Sequence, residues 1–339
     1  MSRGGAMIII HKPEIVEAPS RSQRRLTRNM LQSGDAVPVE ATWIDMIEPT
    51  REEDRRVEMA LGIEIPTREE SQNIEPSEVL YVENGVRYMS ARILCQSGTE
   101  TPKLAPISFI LKDHHLITVR YDEPRSFQMF VNRLARPGES LPTGDHVLIA
   151  LFETVIDRAA EILRLSGERI DEVSETVFGP SSSQSTSTEA FRETLRVMGM
   201  EGNRISKVRE SLVSIERMLL FLTANTAGAT LTDNLRSEVR TTLRDLQSLE
   251  DHATFLSSKI QFLLDAVLGL VNLDQNKIIK IFSVAAVVFM PPTLIASSYG
   301  MNFKNMPELE WAYGYPMALI MMVLAATGTY AFFKLKKWL

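Results

Sequence analysis

The sequence IIKIFSVAAVVFMPPTLIASSYGMN, residues 278–302, decides how this chain is organised. Residues 281–298 within it carry no charge, and this length crosses a hydrocarbon core of roughly 30 Å as an α-helix. A second apolar run covers residues 316–333, and the chain then ends in the basic segment KLKKWL, residues 334–339. Two apolar runs at the end of a long charged chain predict a membrane protein with most of its mass on one side of the bilayer.

One face of the first apolar run is mostly small or polar. Positions three or four residues apart share a face of a helix. The residues at that spacing, called the polar stripe below, are Gly269, Asn272, Asn276, Ile279, Ser283, Ala286, Met290, Thr293 and Ser297. Because lipid cannot satisfy polar groups, the stripe faces protein or water, and both tight helix packing and a pore wall stay open. Two prolines beside it, Pro291 and Pro292, free backbone carbonyls and favour the pore.

Short motifs around the two runs carry a family resemblance. YGMNF at residues 299–303 is followed by MPEL at 306–309 and by GYP at 314–316. Asn276, the FMP of residues 289–291 and the WID of residues 43–45 fit the same pattern. Together with the basic C-terminal end, they resemble the CorA family of magnesium channels from about residue 38 onwards. Lys304 departs from the family, since many relatives carry an acidic residue there.

This resemblance implies a homo-oligomeric pore that conducts magnesium, with cobalt and nickel as further candidate ions. Its selectivity filter would be Gly300, Met301 and Asn302, because the Asn302 side chain and freed backbone carbonyls offer neutral oxygen acceptors. The alternative for Gly300 is a left-handed residue that ends the helix. The predicted pore-lining residues are Asn276, Ile279, Phe282, Ser283, Ala286, Met290 and Thr293, and the predicted external loop includes Tyr299 and Glu308.

The resemblance also implies five subunits and feedback by intracellular magnesium, held between subunits by carboxylates. The acidic candidates on the long helix are Asp245, Glu250, Asp251 and Asp265, and each is equally interpretable as solvated surface. Magnesium is then both the transported and the regulatory ion, and we expect no other cofactor.

Composition excludes several function classes. The net charge of −6 argues against a general nucleic-acid binder, and the single Cys95 fits a reducing cytoplasm. We see no secretory signal peptide, nucleotide-binding loop or catalytic triad, so the sequence predicts no enzyme. Lysines precede the first apolar run and follow the second, for example at Lys277 and Lys336. By the positive-inside rule, both termini are expected to lie in the cytoplasm. The membrane is expected to be a bacterial-type inner membrane.

The rest of the chain predicts an α+β cytoplasmic domain. Residues 1–36, rich in Arg and Ser, are expected to be a disordered basic tail. Residues 37–143 alternate as strands and short helices in a layered, largely antiparallel sheet, with a hairpin at Asn84-Gly85 and another at residues 113–115. Capping boxes at Thr50 and Thr67 each predict a helix start. Residues 144–232 predict a long helical hairpin.

A single helix is expected over residues 233–299, since proline is absent before Pro291 and Gly269 is its only glycine. At 1.5 Å per residue, its part before Pro291 measures on the order of 85 Å, so it forms a stalk that continues into the first membrane span at about residues 278–299. An apolar seam with heptad spacing, the heptad seam, runs along it: Leu235, Val239, Thr242, Leu246, Leu249, Ala253, Leu256, Ile260, Leu263, Val267 and Leu270. Such a seam calls for partner helices and so predicts a homo-oligomer.

Two alternatives to a magnesium channel remain. A zinc transporter would share the fold, but it usually has another residue at the position of Met301. A non-transporting membrane scaffold built on the stalk would not need Asn302. The remaining segments are an external loop at residues 300–315, a second span at 316–333 and a basic cytoplasmic tail at 334–339.

Overall fold

The structure is a computed structural model that divides the chain into two units, Met1–Leu263 and Leu264–Leu339. It describes residues 7–16, 23–32, 35–38, 40–73, 75–99, 101–136, 141–179, 188–224, 231–301, 306–307 and 311–336. The strands are β1 (Met7–Val16), β2 (Gln23–Leu31), β3 (Trp43–Ile47), β4 (Leu80–Glu83), β5 (Val86–Cys95), β6 (Lys103–Lys112) and β7 (His115–Arg120). The helices are α1 (Arg51–Leu61), α2 (Pro76–Val79), α3 (Arg125–Leu134), α4 (Gly144–Phe178), α5 (Thr188–Thr223), α6 (Asp233–Tyr299) and α7 (Gly314–Leu335).

The first unit is built on a seven-stranded sheet in the order β2-β1-β3-β7-β6-β5-β4. Every neighbouring pair is antiparallel except β3 and β7, which run parallel with Trp43 opposite Leu116. The predicted α+β class with a largely antiparallel sheet is therefore confirmed.

Helices cover both faces of this sheet. On one face, Ile44, Ile110 and Ile117 pack in a buried cluster with Val57 of α1. On the other, Trp43 of β3 lies 5.4 Å from Phe130 of α3 between ring centroids, and Phe109 of β6 lies 5.2 Å from Phe152 of α4. Alternating side chains of a strand point to opposite faces, so one sheet supplies both apolar layers.

The WID segment of residues 43–45 has a structural role in this sheet. Asp45 accepts hydrogen bonds from Thr118 Oγ1 at 2.8 Å and from Arg120 Nη2 at 2.9 Å, and both Asp45 and Arg120 are buried. Trp43 Nε1 donates to Thr118 Oγ1 at 3.0 Å. Removal of one partner from a buried charge pair of this kind strongly destabilises the folded protein. The motif therefore joins β3 to β7 across their parallel pairing.

The N-terminal prediction is wrong for two segments. Residues 7–16 and 23–31 form β1 and β2, an antiparallel pair at the edge of the sheet, where a disordered tail was expected. The physical reason is burial, because Ile8 and Ile10 are almost fully buried in the same cluster as Ile44. His11 also stacks on Trp43 with ring centroids 4.3 Å apart, and burial lowers its pKa to about 4.

Local sequence signals place most of the turns correctly. Asn84 and Gly85 adopt φ of 50° and 79° between β4 and β5, as a two-residue hairpin requires. The Thr50 capping box opens α1, with Glu53 N 3.3 Å from Thr50 Oγ1. Thr67 forms the same cap, but only a 3₁₀ turn, Glu70–Gln72, follows instead of the expected α-helix.

The first part of α6 packs on α4 and α5 of its own chain. Leu246, Ala253 and Leu263 of the heptad seam are fully buried. A Cβ built on Gly167 of α4 would lie 3.5 Å from Leu256, and Lys259 forms an ion pair with Asp171 of α4. The seam is thus covered within one chain up to residue 263. It does not by itself require partner chains, because α4 and α5 supply the helices that its spacing demands.

Candidate ion pathway in the second unit

The second unit presents two apolar helices that the chain itself leaves uncovered. Both α6 and α7 contain a stretch apolar and long enough to span a membrane. Only 6% of that stretch in α6 and 11% in α7 is buried. Core helices of water-soluble proteins are buried on at least one face, so lipid or further copies of the chain must cover these surfaces.

Coverage along the span of α6 differs between its faces. Val284 is buried, and Val288 and Ile295 are half-buried. The polar stripe on the other side is exposed at Ile279, Ser283, Ala286, Met290, Thr293 and Ser297. Within the described part of the chain, nothing covers these stripe residues. They are therefore available to face water or other copies, as a pore wall requires.

The helix continues through its double proline. Pro291 and Pro292 both lie inside α6, so the backbone carbonyls one turn before them lose their usual N–H donors. Thr293 Oγ1 donates to the carbonyl of Phe289 at 2.7 Å, which ties the hydroxyl back to its own helix. The freed carbonyls are those of Val287, which is exposed, and Val288, which is half-buried on the other face, so only the first adds an acceptor on an uncovered side of the helix.

The predicted filter begins where α6 ends. Gly300 N donates to Ala296 O at 2.9 Å and Met301 N to Ser298 O at 3.4 Å. Gly62 and Gly85 are the described glycines with positive φ, so the left-handed helix end considered for Gly300 is wrong. A Cβ there would lie 3.2 Å from Ala296 O, which leaves little room for a side chain. Asn302 and Glu308 lie outside the described residues.

Aromatic side chains gather at the start of α7. Trp311 and Tyr313 form an edge-to-face pair with ring centroids 6.2 Å apart, and both are exposed, as is Tyr315. Exposed Trp and Tyr next to an apolar helix are typical of the membrane–water interface. Their position agrees with an α7 that begins at a bilayer surface.

The acidic candidates on α6 are not brought together within one chain. The described residues contain no group of three or more His, Cys, Asp or Glu that could hold a metal ion. Asp245, Asp251 and Asp265 are exposed. Glu250 instead faces α5, where burial and the nearby Glu216 raise its pKa. Exposed carboxylates are accessible to a second copy, whereas Glu250 interacts with its own chain.

Sequence reasoning left one residue out of the proposed lining. Ser297 lies on the polar stripe between Thr293 and Gly300 and is exposed like its neighbours. The three-and-four spacing that defined the stripe already contained it. The exposed part of the polar stripe on α6 therefore extends from Asn276 to Ser297.

These features define a class of protein: a two-helix membrane protein whose long helix begins in an α+β domain. The family model described as "CorA-like Mg2+ transporter protein" matches residues 40–337, so the chain belongs to this family, which comprises ion transporters and not enzymes.

Similar proteins match over most of their length. The magnesium transport protein CorA of Pasteurella multocida is 36% identical over 299 residues, which cover 88% of this chain and 92% of the relative. That of Escherichia coli K12 is 34% identical over 317 residues, 93% and 97% of the two chains. The complete structure of the CorA magnesium transporter from Methanocaldococcus jannaschii has a TM-score of 0.74 at 17% identity and covers 100% of both chains, which shows a shared fold.

Proposed function

We propose that this chain is a magnesium channel that admits divalent cations down their electrochemical gradient. The observation that carries the proposal is the polar stripe of α6, uncovered in one chain of a family of Mg²⁺ transporters. The full-length relatives named above, both magnesium transport proteins, support magnesium as the ion. Cobalt and nickel are further candidate substrates.

The pore in this proposal forms between copies of the chain. One helix cannot enclose a path, but copies around an axis turn each stripe residue into a ring. Five subunits, as the family resemblance implies, would place Ser283, Ala286 and Thr293 around the path. The outward faces of α6 and α7 then meet lipid, which explains why their apolar side chains are exposed in a single chain.

The proposed filter recognises a hydrated ion. Magnesium gives up its water reluctantly, so a ring of acceptors wide enough for the water shell is less costly than dehydration. Asn302 supplies a neutral amide oxygen for this ring, with the backbone carbonyls of Gly300 and Met301 next to it. A neutral ring binds weakly enough to release the ion, which conduction requires.

The proposed gate lies further along the same helix. Met290 and Phe282 are 66% and 71% exposed in one chain, so both apolar side chains are free to project towards a shared axis. A ring of such side chains closes a narrow path by excluding water. Asn276, at the start of the span, would form the cytoplasmic mouth.

Feedback by intracellular magnesium is part of the proposal. The exposed Asp245 and Asp251 are available to bind an ion jointly with a neighbouring copy. Glu250 fits this role less well, because it faces Glu216 and Arg209 of its own α5. Magnesium bound between copies would hold the closed arrangement.

Ion flux into proteoliposomes tests the function. We expect magnesium to enter faster than zinc when the purified full chain is reconstituted. Magnesium entry should become slower when the magnesium concentration is also raised on the side of the membrane that carries the first unit. Preferential zinc flux would favour the zinc transporter. Absence of any flux from correctly inserted protein would favour the scaffold.

Thiol labelling tests the proposed orientation. With Cys95→Ser as background, Asn305→Cys is expected to react with a membrane-impermeant maleimide added to intact cells, whereas Lys336→Cys reacts only after lysis. Cys95 itself is buried, which raises the pKa of its thiol to about 12, so the background substitution removes little signal. If only Lys336→Cys were labelled in intact cells, the orientation would be opposite to the one proposed.

A further inference from the structure

A second candidate site lies in the first unit and shares no residue with the proposed ion pathway. A cavity of about 370 Å³ separates α5 from the sheet beside β5. From α5 it is lined by Ser206, Arg209, Glu210, Val213, Ser214 and Arg217. These positions follow the three-and-four spacing of one helix face. The volume is within the range of small-molecule sites.

The charge of this cavity is unbalanced. Three arginines line it, Arg92, Arg209 and Arg217, whereas Glu210 is the one carboxylate among its described lining residues. Arg92 Nη1 pairs with Glu210 Oε1 at 2.8 Å, which neutralises both groups. Arg209 and Arg217 form no hydrogen bond or ion pair with the described part of the chain, although Glu250 of α6 interacts with Arg209 electrostatically. Two guanidinium groups therefore remain available to one anion.

Hydroxyl groups line the same cavity, at Ser71, Ser90, Ser206 and Ser214. Ser71 Oγ donates to Thr67 O at 2.9 Å, and Ser71 and Ser90 both lie within hydrogen-bond distance of Ser108 Oγ, so Ser206 and Ser214 are the hydroxyls left to a ligand. Ser214 Oγ accepts the backbone N–H of Arg92 at 2.7 Å, which leaves its own O–H free to donate. Guanidinium forks and hydroxyl donors are the groups that bind phosphate oxygens, and arginine does so with two parallel hydrogen bonds.

One part of the cavity wall is apolar. Val79 and Leu80, at the junction of α2 and β4, lie there with Val213 of α5. A bare inorganic ion would leave this wall in contact with water. An organic group attached to the phosphate would cover it and gain from burial of apolar surface.

We infer that this cavity binds a soluble phosphate monoester, with its phosphate on Arg209 and Arg217 and its organic group against Val79, Leu80 and Val213. The two arginines are eight residues apart, about 12 Å along the helix, a separation that two extended arginine side chains span. Such a ligand would link the large domain to the phosphorylated metabolites of the cell, independently of the ion pathway.

Calorimetric titration of the full chain in detergent, with a chelator to remove magnesium, tests this inference. The probes are adenosine monophosphate, inorganic phosphate and adenosine. We expect adenosine monophosphate to bind more tightly than inorganic phosphate, and adenosine not to bind. Arg209→Gln and Arg217→Gln should each weaken binding by about tenfold or more, because each removes a charge-assisted hydrogen bond.

Arg192→Gln is the matched control. Arg192 is an exposed arginine of the same α5 but does not line the cavity, so the same loss of charge there should leave affinity unchanged. Equal weakening by Arg192→Gln would reduce the effect to general electrostatics and overturn the site. Equal affinity for adenosine and adenosine monophosphate, or for inorganic phosphate and adenosine monophosphate, would overturn it too, as would absence of binding.

Discussion

Replacing Asn302 with alanine is expected to reduce magnesium uptake by reconstituted protein to the level of protein-free liposomes. The physical reason is that the substitution removes one amide acceptor from every copy at once, so the whole ring is lost. Asn302→Asp should have a different effect. A ring of carboxylates binds a divalent ion more tightly and releases it too slowly, so uptake should saturate at lower magnesium but with a smaller maximum rate.

Cobalt hexaammine makes this experiment specific for a hydrated ion. It resembles a hydrated metal ion in size, but its ligands do not exchange, so only a filter that recognises the outer shell binds it. The wild-type protein should be blocked from the loop side, and Asn302→Ala should lose this block. Asn305→Ala is the matched control, since it makes the same change three residues along the same loop and should retain both flux and block. Wild-type flux with unchanged block in Asn302→Ala would refute the filter.

The elements that the sequence predicts well are those determined by local rules. Asp233–Tyr299 is helical over the predicted residues because no proline interrupts it before Pro291. The turn at Asn84-Gly85 depends on two residues that tolerate positive φ, so four residues suffice to recognise it. Both predictions need only neighbours in the chain.

The N-terminal strands depend on partners that lie far along the chain. The apolar run at residues 7–10 is short, and the arginines at positions 24, 25 and 28 resemble those of a disordered tail. Charged side chains are also what protects the edge strand of a sheet from further pairing. Only the pairing of Ile10 with Ile44 in β3 distinguishes the two, and composition does not contain it.

The heptad seam shows a different limit. Apolar residues spaced alternately four and three apart indicate that a helix packs against apolar partners, but they do not indicate which chain supplies those partners. Here α4 and α5 cover Leu246 and Ala253 within the same chain. The polar stripe in the membrane span differs from the seam, because nothing in the described part of the same chain covers it. Its partner must therefore be water or another copy of the chain. Asn302 is predicted from the motif alone and stays a prediction.

Cysteine scanning is expected to separate the two meanings of the polar stripe. In the Cys95→Ser background, Ser283→Cys and Thr293→Cys should react with a small cationic thiosulfonate, and flux should then fall close to zero because the modified side chains fill the path. Val284→Cys and Ile295→Cys are the matched controls on the covered face of the same helix. They should react slowly and keep their flux.

The chemistry of the thiol decides between pore and packing. A thiol reacts as its thiolate, which forms readily only where water reaches it. A stripe used for dry helix packing would therefore leave Ser283→Cys and Thr293→Cys unmodified, even though the helix is the same. In an open pore, magnesium on the loop side should also slow the reaction, since both cations use one path. Equal reaction rates on both faces of α6, or protection by magnesium at Val284→Cys, would contradict a pore lined by the stripe.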